Sequence, residues 1–380
     1  MKCLYGLLLF LFCGFVNAQY VPGTSYFDSS KYIEYIAGDM PVILVAPHAG
    51  KLKPISLPDI HNRGADNGTY ELAYLLDSIF PSKTGGCRPH IIINHLHPSK
   101  MNPVHSDSTI SAGSNIEALK AWSSFHNFIN IAKIEITKYW GSGHYFELHG
   151  NGHTSKWNEI GLGVKNDYLN QSDSVIRTRI NNSTVKNLCT AGGADFIEVI
   201  KGKTSLGGLL DSMAWKSVPS PSYPSPDTNA FFYAGQNTWK HGSWKSGTID
   251  ATHLESYWEF MVKAQNKMKY AADLSHAIIR FMNIHYKFSF DCKPTSLHDK
   301  TNPKPIVIYP NPTNSENGFY IKGSDKIKEI KIINNLGKVL FSRKWDTVIP
   351  LKNITAGMYS IQIIWQSNER SFSRLIVLDY

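Results

Sequence analysis

The chain has 380 residues and a formal net charge of +9, from 39 Lys and Arg against 30 Asp and Glu. This length allows two domains, each with its own hydrophobic core. Because the basic residues are dispersed along the sequence and form no known motif, we expect no nucleic-acid partner. Downstream of the N-terminal apolar run, no apolar segment is long enough to cross a membrane.

The N terminus has the pattern of a secretory signal peptide, predicted over residues 1–18. One Lys precedes an apolar run from Leu4 to Val16, and Asn17 and Ala18 provide a small-residue cleavage site. The run is too short for a membrane-spanning helix. We therefore expect an exported protein that is soluble once the signal peptide is removed.

The cysteines are too few for a disulfide framework. Cys3 and Cys13 lie in the predicted signal peptide, which leaves Cys87, Cys189 and Cys292. These three are also too scattered for a cysteine zinc site. At most one disulfide can form, and the sequence leaves its pairing open.

Strand and helix patterns alternate through the first part of the predicted mature chain. The β-branched run Val42–Ala46 predicts a strand buried on both faces, and a helix is predicted from Asp66 to Phe80. A second strand, a second helix and a third strand follow, namely Arg88–Asn94, Asn115–Tyr139 and Tyr145–Leu148. This order is typical of an α/β fold with a mostly parallel sheet and helices on both faces.

The elements predicted further along are less regular. They are helix Ser172–Leu188, strand Phe196–Ile200, strand Thr248–Leu254 and helix Tyr257–Ile284. Between the two strands, the proline-rich segment 217–226 can be neither helix nor central strand, because proline fixes φ and lacks an N–H donor.

The composition changes after Asp291. Residues 293–305 have the composition of a polar, proline-containing linker, and residues 306–380 show short alternating strands separated by turns. This pattern predicts a small all-β sandwich. We therefore expect a signal peptide at 1–18, an α/β domain at 19–292, a linker at 293–305 and a β-sandwich at 306–380.

Two of the predicted strands lead directly into histidine. Val42–Ala46 is followed by Pro47 and His48, and Tyr145–Leu148 is followed by His149. In open α/β sheets, ligands bind at the carboxyl ends of the strands. Neutral imidazole is a good zinc ligand. The sequence therefore predicts that His48 and His149 bind one zinc ion, against the alternative that both are ordinary loop histidines.

A third ligand is expected to be acidic. A hydrolytic zinc site needs about three protein ligands, an open position for water and a nearby carboxylate that moves protons. Asp66 and Glu71 are the acids nearest to His48 in sequence, and we favour Asp66 because it lies in the loop or at the helix start. The alternative role of Asp66 is a simple helix N-cap.

Glu255, at the end of the last predicted strand, is the candidate general base. Its competitors are Asp250, His253 and Glu259. The alternative interpretation of Glu255 is an exposed glutamate at a helix start.

The segment around His149 offers two further candidates. Glu147 is expected either beside the metal ligands or in the core next to a basic residue. His153 is expected either to contact substrate or to be an ordinary loop residue.

Five short motifs, in this order, resemble the N-formylglutamate amidohydrolase-like family over about residues 35–285. They are Pro47–Gly50, Asp66–Ala73, Arg88–Pro89, Leu148–His153 and His253–Glu255. The resemblance implies an α/β fold of the zinc carboxypeptidase type and hydrolysis of an amide bond at one zinc ion. Position by position, it implies His48, Asp66 and His149 as zinc ligands and Glu255 as general base.

The sequence departs from that family after the second predicted strand. Family members often carry an Asn-Arg pair there that receives a substrate carboxylate, whereas Lys100–His105 contains no arginine. Because histidine cannot copy the bidentate contact of arginine, N-formylglutamate itself is not the expected substrate. The candidates for substrate contacts are Arg63, Arg88, Lys100, Asn151 and His153, and the three cations among them could equally be solvated surface charges.

The C-terminal residues resemble the C-terminal sorting domain of the type IX secretion system of Bacteroidetes. The resemblance lies in Ile308–Thr313, Ile332–Val339 and Ile354–Ile361. It implies export through the periplasm and then across the outer membrane, by contact with the type IX machinery. The tail is then an address with no part in catalysis, and the protein is secreted or attached to the cell surface.

Taken together, these patterns predict a secreted zinc-dependent hydrolase. Its expected substrate is an N-acyl amino acid, a peptide or a related amide. The alternative is a catalytically inactive binding protein, secreted or attached to the cell surface, on the same fold. A serine esterase is disfavoured because the sequence has no Gly-x-Ser-x-Gly motif.

Overall fold

The computed structural model divides into two compact units, Val21–Pro294 and a unit that includes Thr295–Tyr380. The predicted signal peptide and the linker 293–305 lie outside the described residues. Those described are 20–290, 307–309, 313–314, 318–322, 327–333, 339–344, 348–355, 357–366 and 370–378.

The N-terminal unit is built on one eight-stranded mixed sheet. Its strands are β1 Ser25–Phe27, β2 Ile33–Ile36, β3 Val42–Ala46, β4 His90–Asn94, β5 Gly143–Asn151, β6 Asn158–Gly161, β7 Ser217–Val218 and β8 Ile249–Tyr257. They lie in the order β1-β2-β4-β3-β5-β8-β6-β7, and the central strands β4, β3, β5 and β8 are parallel. The mostly parallel sheet predicted from the sequence is confirmed, with antiparallel pairing at β1–β2, β2–β4 and β6–β8.

Helices cover both faces of this sheet. They are α1 Thr69–Lys83, α2 Ser108–Ala112, α3 Ile116–Trp140, α4 Asn166–Leu169, α5 Asp173–Arg177, α6 Lys186–Thr190, α7 Phe196–Lys201, α8 Leu206–Ser212, α9 Gln236–His241, α10 Trp258–Val262 and α11 Ala264–Phe281. A 3₁₀ turn at Ile180–Asn182 and a π-helical turn at Met282–Tyr286 complete the set.

Alternation along β3 explains why the run is apolar throughout. Val42, Leu44 and Ala46 belong to the core that the sheet shares with α1 and α11. Ile43 and Val45 are equally buried and point to the other face, where α3 packs on β2 to β5. In β5, Phe146 lies on the α1 side, so Glu147 and its alternate neighbours lie on the α3 side.

Two predicted elements of the middle segment are wrong. The apolar run Phe196–Ile200 forms helix α7 instead of a strand, because the Asp195 side chain caps its start by accepting from Glu198 N. A short apolar run cannot by itself distinguish a buried strand from a helix. The single helix predicted at Ser172–Leu188 is broken into α5, the 3₁₀ turn and α6.

The strands that carry the site are longer than predicted. β5 continues to Asn151, so His149 is within the strand and not in the loop after it. β8 continues to Tyr257, so Glu255 is also a buried strand residue. The alternative of an exposed glutamate at a helix start is therefore wrong.

The C-terminal unit is all β. Its strands are β9 Val307–Tyr309, β10 Thr313–Asn314, β11 Tyr320–Lys322, β12 Ile327–Ile333, β13 Val339–Lys344, β14 Gly357–Trp365 and β15 Arg370–Leu378. They form a five-stranded sheet, β10-β15-β14-β12-β13, and a two-stranded sheet, β11-β9. Ile308 and Ile321 of the small sheet share one core with Ile330, Ile332 and Ile361 of the large one, which confirms the predicted sandwich.

Candidate metal centre

Three predicted ligands converge at the carboxyl end of the parallel strands. His48 follows the end of β3, and His149 lies in the adjacent strand β5. Asp66 is held in the loop before α1, where its N–H donates to the carbonyl of His48 at 3.0 Å. Asp66 Oδ2 lies 2.9 Å from His149 Nδ1 and 3.3 Å from His48 Nδ1. All three side chains therefore offer one atom to a common point.

These separations fit a metal ion. Zinc–ligand bonds of about 2.0–2.1 Å at tetrahedral angles place neighbouring ligand atoms roughly 3.3 Å apart. The second nitrogen of His48 is also satisfied, because its Nε2–H donates to Asn102 Oδ1 at 2.7 Å. That bond selects the tautomer that leaves Nδ1 of His48 free to bind a metal.

Asp66 does not act as the cap of α1, the alternative role considered from the sequence. The helix begins at Thr69 with Gly68 as its N-cap residue. The Asp66 carboxylate faces the two histidines instead, and Arg63 Nη2 lies 3.6 Å from its other oxygen. The Asp66 side chain is only 9 % exposed, so it is a nearly buried anion.

The electrostatics favour a cation between these side chains. Burial opposes ionisation of Asp66, but hydrogen bonds with His149 and His48 hold its pKa well below the usual range. Burial likewise opposes charge on His149, but the hydrogen bond with Asp66 and the nearby carboxylates of Glu147 and Glu255 outweigh it and raise the pKa of His149 to about 10. Burial lowers the pKa of His48, which favours the neutral form that a metal requires. A divalent ion would displace the Nδ1 proton of His149 and supply its positive charge.

A second group of possible ligands shares His149. In-register parallel pairing of β5 with β8 sets Glu147 beside His253 and His149 beside Glu255. Glu147 Oε2 lies 3.3 Å from His253 Nδ1 and 3.6 Å from His149 Nε2. His149 Nε2 is buried and has no hydrogen-bond partner among the described residues.

Of the two groups, the one with Asp66 is better suited to a reactive metal. Glu147 is fully buried, and its Oε1 accepts from Tyr145 Oη at 3.1 Å and Asn237 Nδ2 at 2.8 Å. A hydrolytic site needs an open position, and the 45 % exposed Arg63 side chain beside Asp66 marks the side of this group that is nearest to solvent. Glu147 is then an outer carboxylate that orients His149 and His253.

Glu255 joins the same polar face of the sheet. Its Oε1 lies 3.1 Å from His253 Nε2, so His253 bridges Glu255 and Glu147. Burial and the nearby His149 oppose charge on His253, but its two carboxylate partners raise its pKa. A carboxylate held in this way beside the His149 strand position could exchange protons with a bound water or substrate.

Glu159 is a further buried carboxylate that sequence analysis did not identify. It pairs in register with Glu255 across β6 and β8. Its oxygens contact His153 Nδ1 at 2.6 Å and the N–H of Phe232 at 2.8 Å. Burial raises the pKa of Glu159 despite these contacts.

The three cations predicted to contact substrate have different surroundings. Arg63 is close to Asp66, as described above, and is 45 % exposed. Arg88 pairs with Asp77 at 2.9 Å. Lys100 is buried, and its Nζ donates to the carbonyl of Leu57 at 2.7 Å. Of the three cations, the described contacts bring only Arg63 to the cluster.

Asn151 and His153 hold the end of β5. The Asn151 Nδ2 donates to the carbonyl oxygens of Glu255 and Trp157 at 2.9 and 3.1 Å. His153 is stacked on Phe232 with ring centroids 5.2 Å apart and is partly exposed. Asn151 therefore fixes the backbone of the Glu255 strand, while His153 lies at the rim.

The competing acids are engaged elsewhere. Glu71 is exposed and lies 3.5 Å from Lys51. Asp250 accepts from Tyr286 Oη and Ser243 Oγ at 2.8 and 2.5 Å, and Glu259 pairs with Lys263. Only His253, among the competitors named for Glu255, is part of the cluster.

Sequence analysis also missed Asn102, Asn237 and Glu159. Asn102 lies in Lys100–His105, the segment that lacks the arginine of the resembled family. Glu159 could have been recognised as the acid directly before the alternating apolar residues Ile160, Leu162 and Val164, which are a strand pattern. Asn237 carries no comparable signal, because a loop and the short helix α9 bring it to Glu147.

Comparison with known families identifies the C-terminal unit. Residues 307–378 match the model of the secretion system C-terminal sorting domain. The predicted resemblance of this part is therefore confirmed, and the chain is secreted or attached to the cell surface through contact with secretion machinery. Among the described residues, no helix combines the length and apolar character needed to span a bilayer.

Similarities to solved structures are distant. The chain is similar to the Atu2144 gene product of Agrobacterium tumefaciens, with 12 % identity, 68 % of this chain and 98 % of that chain covered, and a TM-score of 0.40. It is also similar to N-formylglutamate amidohydrolase from Ralstonia eutropha JMP134, with 11 % identity and a TM-score of 0.40. That match covers 67 % of this chain and 98 % of the other. PorZ of the Porphyromonas gingivalis type-IX secretion system matches at 20 % identity over 20 % of this chain and 11 % of that chain, with a TM-score of 0.17.

The predicted family is thus found again among the solved structures that resemble the chain. At these TM-scores the likeness says nothing of substrate or activity. The search of curated proteins finds no significant match.

Proposed function

We propose that the N-terminal unit is a metal-dependent hydrolase of an amide bond, with His48, Asp66 and His149 holding one zinc ion. The observation that carries this proposal is the approach of one carboxylate oxygen to two imidazole nitrogens at 2.9 and 3.3 Å, beside further buried carboxylates. Two histidines and one carboxylate are a common ligand set of zinc peptidases.

When bound, the zinc ion would supply a Lewis acid that polarises a carbonyl and lowers the pKa of a water. The chain's own residues provide the remaining functions. Asn102 and Glu147 orient His48 and His149, and Asp66 supplies the negative ligand.

We assign the proton transfers to Glu255. Its carboxylate would accept a proton from the attacking water and return it to the leaving amine nitrogen. His253 positions Glu255 through the 3.1 Å contact between His253 Nε2 and Glu255 Oε1. Because His253 also contacts Glu147, the base and the outer carboxylate are held in one rigid network.

The proposed substrate is an N-acyl amino acid, a peptide or a related amide. Arg63 is the best-placed cation for a substrate carboxylate, because it is close to Asp66 and half exposed. His153 and Asn151 would contact the substrate from the end of β5. Arg88 and Lys100 receive no role, because their charged groups are engaged by Asp77 and the carbonyl of Leu57.

The test is hydrolysis of a panel of N-acyl amino acids and short peptides by the purified chain. We expect turnover that is lost on chelation and restored by zinc, and a strong loss in Glu255→Gln with metal content unchanged. Activity that survives complete metal removal would contradict the proposal. Bound zinc without turnover on any member would favour the alternative of an inactive binding protein.

A further inference from the structure

A cavity, named the second cavity to distinguish it from the metal centre, lies beside the segment 235–237 that borders that centre. It has a volume of about 1070 Å³ and is lined by α3, α9 and the loops that follow β6 and α9. Its volume is slightly above the range of about 300–1,000 Å³ for small-molecule sites. Five cations line it, namely Lys133, Lys165, Arg179, Lys240 and Lys245.

No negative charge compensates these cations. No Asp or Glu is among the residues that line the cavity. In the described part of the chain, none of the five has an ion pair with a carboxylate, whereas the nearby Arg177 is paired with Asp195 at 2.7 Å. Lys133 is partly buried, donates to the carbonyl of His241 at 2.8 Å, and has its pKa lowered by burial. A cluster of like charges in such a setting is stabilised by an anion.

Aromatic rings hold several of the cations in place. Arg179 Cζ lies 4.2 Å from the ring centroid of Tyr168, Lys165 Nζ 5.7 Å from that of Tyr233, and Lys245 Nζ 5.2 Å from that of Trp244. Cation–π contacts position a charge without neutralising it. The cations therefore remain available to a ligand while their side chains are restrained.

One chain segment, residues 235–237, borders both the cavity and the metal centre. Gln236 lines the cavity, while the preceding Gly235 is so close to the centre that an added Cβ would be 3.0 Å from His253 Nδ1. The next residue, Asn237, donates to Glu147 Oε1. Ser106 lines the cavity as well, and its N–H donates to Gln236 Oε1 at 2.9 Å.

We propose that this cavity is an anion-binding site, separate from the metal centre, for a ligand that carries several oxyanion groups. Carboxylates and ester oxyanions share the chemistry that Arg and Lys recognise. The proposal depends on the cavity alone, so it stands or falls independently of the hydrolytic function.

The test is calorimetric titration of the purified full chain with two anionic sugars that compete weakly for zinc. Tetragalacturonate carries carboxylates, sucrose octasulfate carries ester oxyanions, and maltotetraose is the neutral control. We expect at least one anionic probe to bind, with an affinity that falls when sodium chloride is raised. Binding of only one of them identifies the group that the site takes.

The double variant Lys165→Gln/Arg179→Gln should weaken that binding by roughly tenfold or more, because each change removes a charge-assisted contact. The matched control is Lys83→Gln/Lys120→Gln, which removes two exposed cations outside the cavity and should bind like the unmodified chain. The exposed single change Lys165→Glu serves as a second variant if the double one is unstable. Failure of both anionic probes to bind, equal binding of maltotetraose, or equal affinities in the cavity and control variants would overturn the proposal.

Discussion

Two of the groups of buried histidines in the N-terminal unit differ clearly in their neighbours. His126 Nδ1 and His241 Nε2 are 3.0 Å apart, and neither histidine has an ion pair with a carboxylate in the described part of the chain. Burial lowers the pKa of both, that of His126 to about 3. His149, equally buried, lies between Asp66 and Glu147 and has its pKa raised to about 10.

Burial alone therefore does not make a histidine a metal ligand. The His126–His241 pair is neutral and packs against rings, since His126 contacts Trp122 and His241 stacks on Tyr145. The cluster around His149 instead collects Asp66, Glu147 and Glu255 in the interior. Buried carboxylates are costly unless cations compensate them, so the proposed metal ion would stabilise this group, whereas the neutral His126–His241 pair needs no such compensation.

The largest effect is expected from Glu255→Gln. The amide keeps the shape of the side chain but cannot act as a base, so the rate should fall by about a hundredfold or more. Metal content should not change, because Glu255 is not a ligand in the proposed site. Turnover of the variant on the best substrate, with zinc measured in the same sample, checks this; an unchanged rate would remove Glu255 from the mechanism.

Glu147→Gln should weaken zinc binding by about 10- to 100-fold, since outer carboxylates orient histidine ligands and increase their basicity. A competitive titration with a chromogenic chelator measures the affinity. Glu34→Gln is the matched control, because Glu34 is also a buried carboxylate and lies 3.0 Å from His95. The described contacts of Glu34 do not involve the cluster. Equal affinities of the two variants would contradict the role of Glu147.

Asn102→Ala should have a smaller effect on the same affinity, about tenfold. The change removes the acceptor that holds His48 Nε2 and leaves that nitrogen without its partner. The same titration measures it, with Asn115→Ala, at the start of α3, as the control for loss of an asparagine. No difference between these variants would show that the tautomer of His48 is fixed in another way.

The smallest effect concerns acid stability. Folding lowers the pKa of His126 from its ordinary value of 6.5 to about 3, because the side chain is buried. Between these two pH values, the folded state therefore binds fewer protons than the unfolded state. Its contribution is complete above pH 6.5 and is lost as the pH falls. The surrounding titratable groups are His241, Lys240 and Glu147.

His126→Phe removes this protonation. Its free energy of unfolding should fall less steeply on acidification, by up to about 1.4 kcal/mol per pH unit relative to the unmodified chain. Urea unfolding at several pH values between 4 and 7, roughly the window in which model histidines titrate, measures the difference. Parallel curves for the two proteins would contradict a depressed pKa.

The sequence was most informative at the strand ends that carry the candidate metal ligands. The β-branched run of β3 and the aromatic-apolar run of β5 predicted two strands of a parallel sheet, and that topology brings His48 and His149 to one edge. Asp66 was selected by its nearness to His48 in sequence, and the loop before α1 brings it to both histidines.

Other features depend on distant contacts and could not be predicted in this way. The outer partners Asn102 and Asn237 come from a loop and from the short helix α9, far from His48 and Glu147 in sequence. The cations of the second cavity are dispersed between residues 133 and 245, so their clustering is a property of the fold and not of the sequence. The run Phe196–Ile200 was predicted as a strand and forms helix α7, because a short apolar run fits both structures.

The most direct test of the account is elemental analysis of the purified chain beside His149→Ala and His126→Phe. We predict about one zinc per chain in the unmodified protein and in His126→Phe, and none in His149→Ala, because a three-ligand site reduced to two no longer retains the ion. Absence of metal from the unmodified protein, or full zinc occupancy in His149→Ala, would contradict the assignment of the carboxylate-paired histidines as the metal centre.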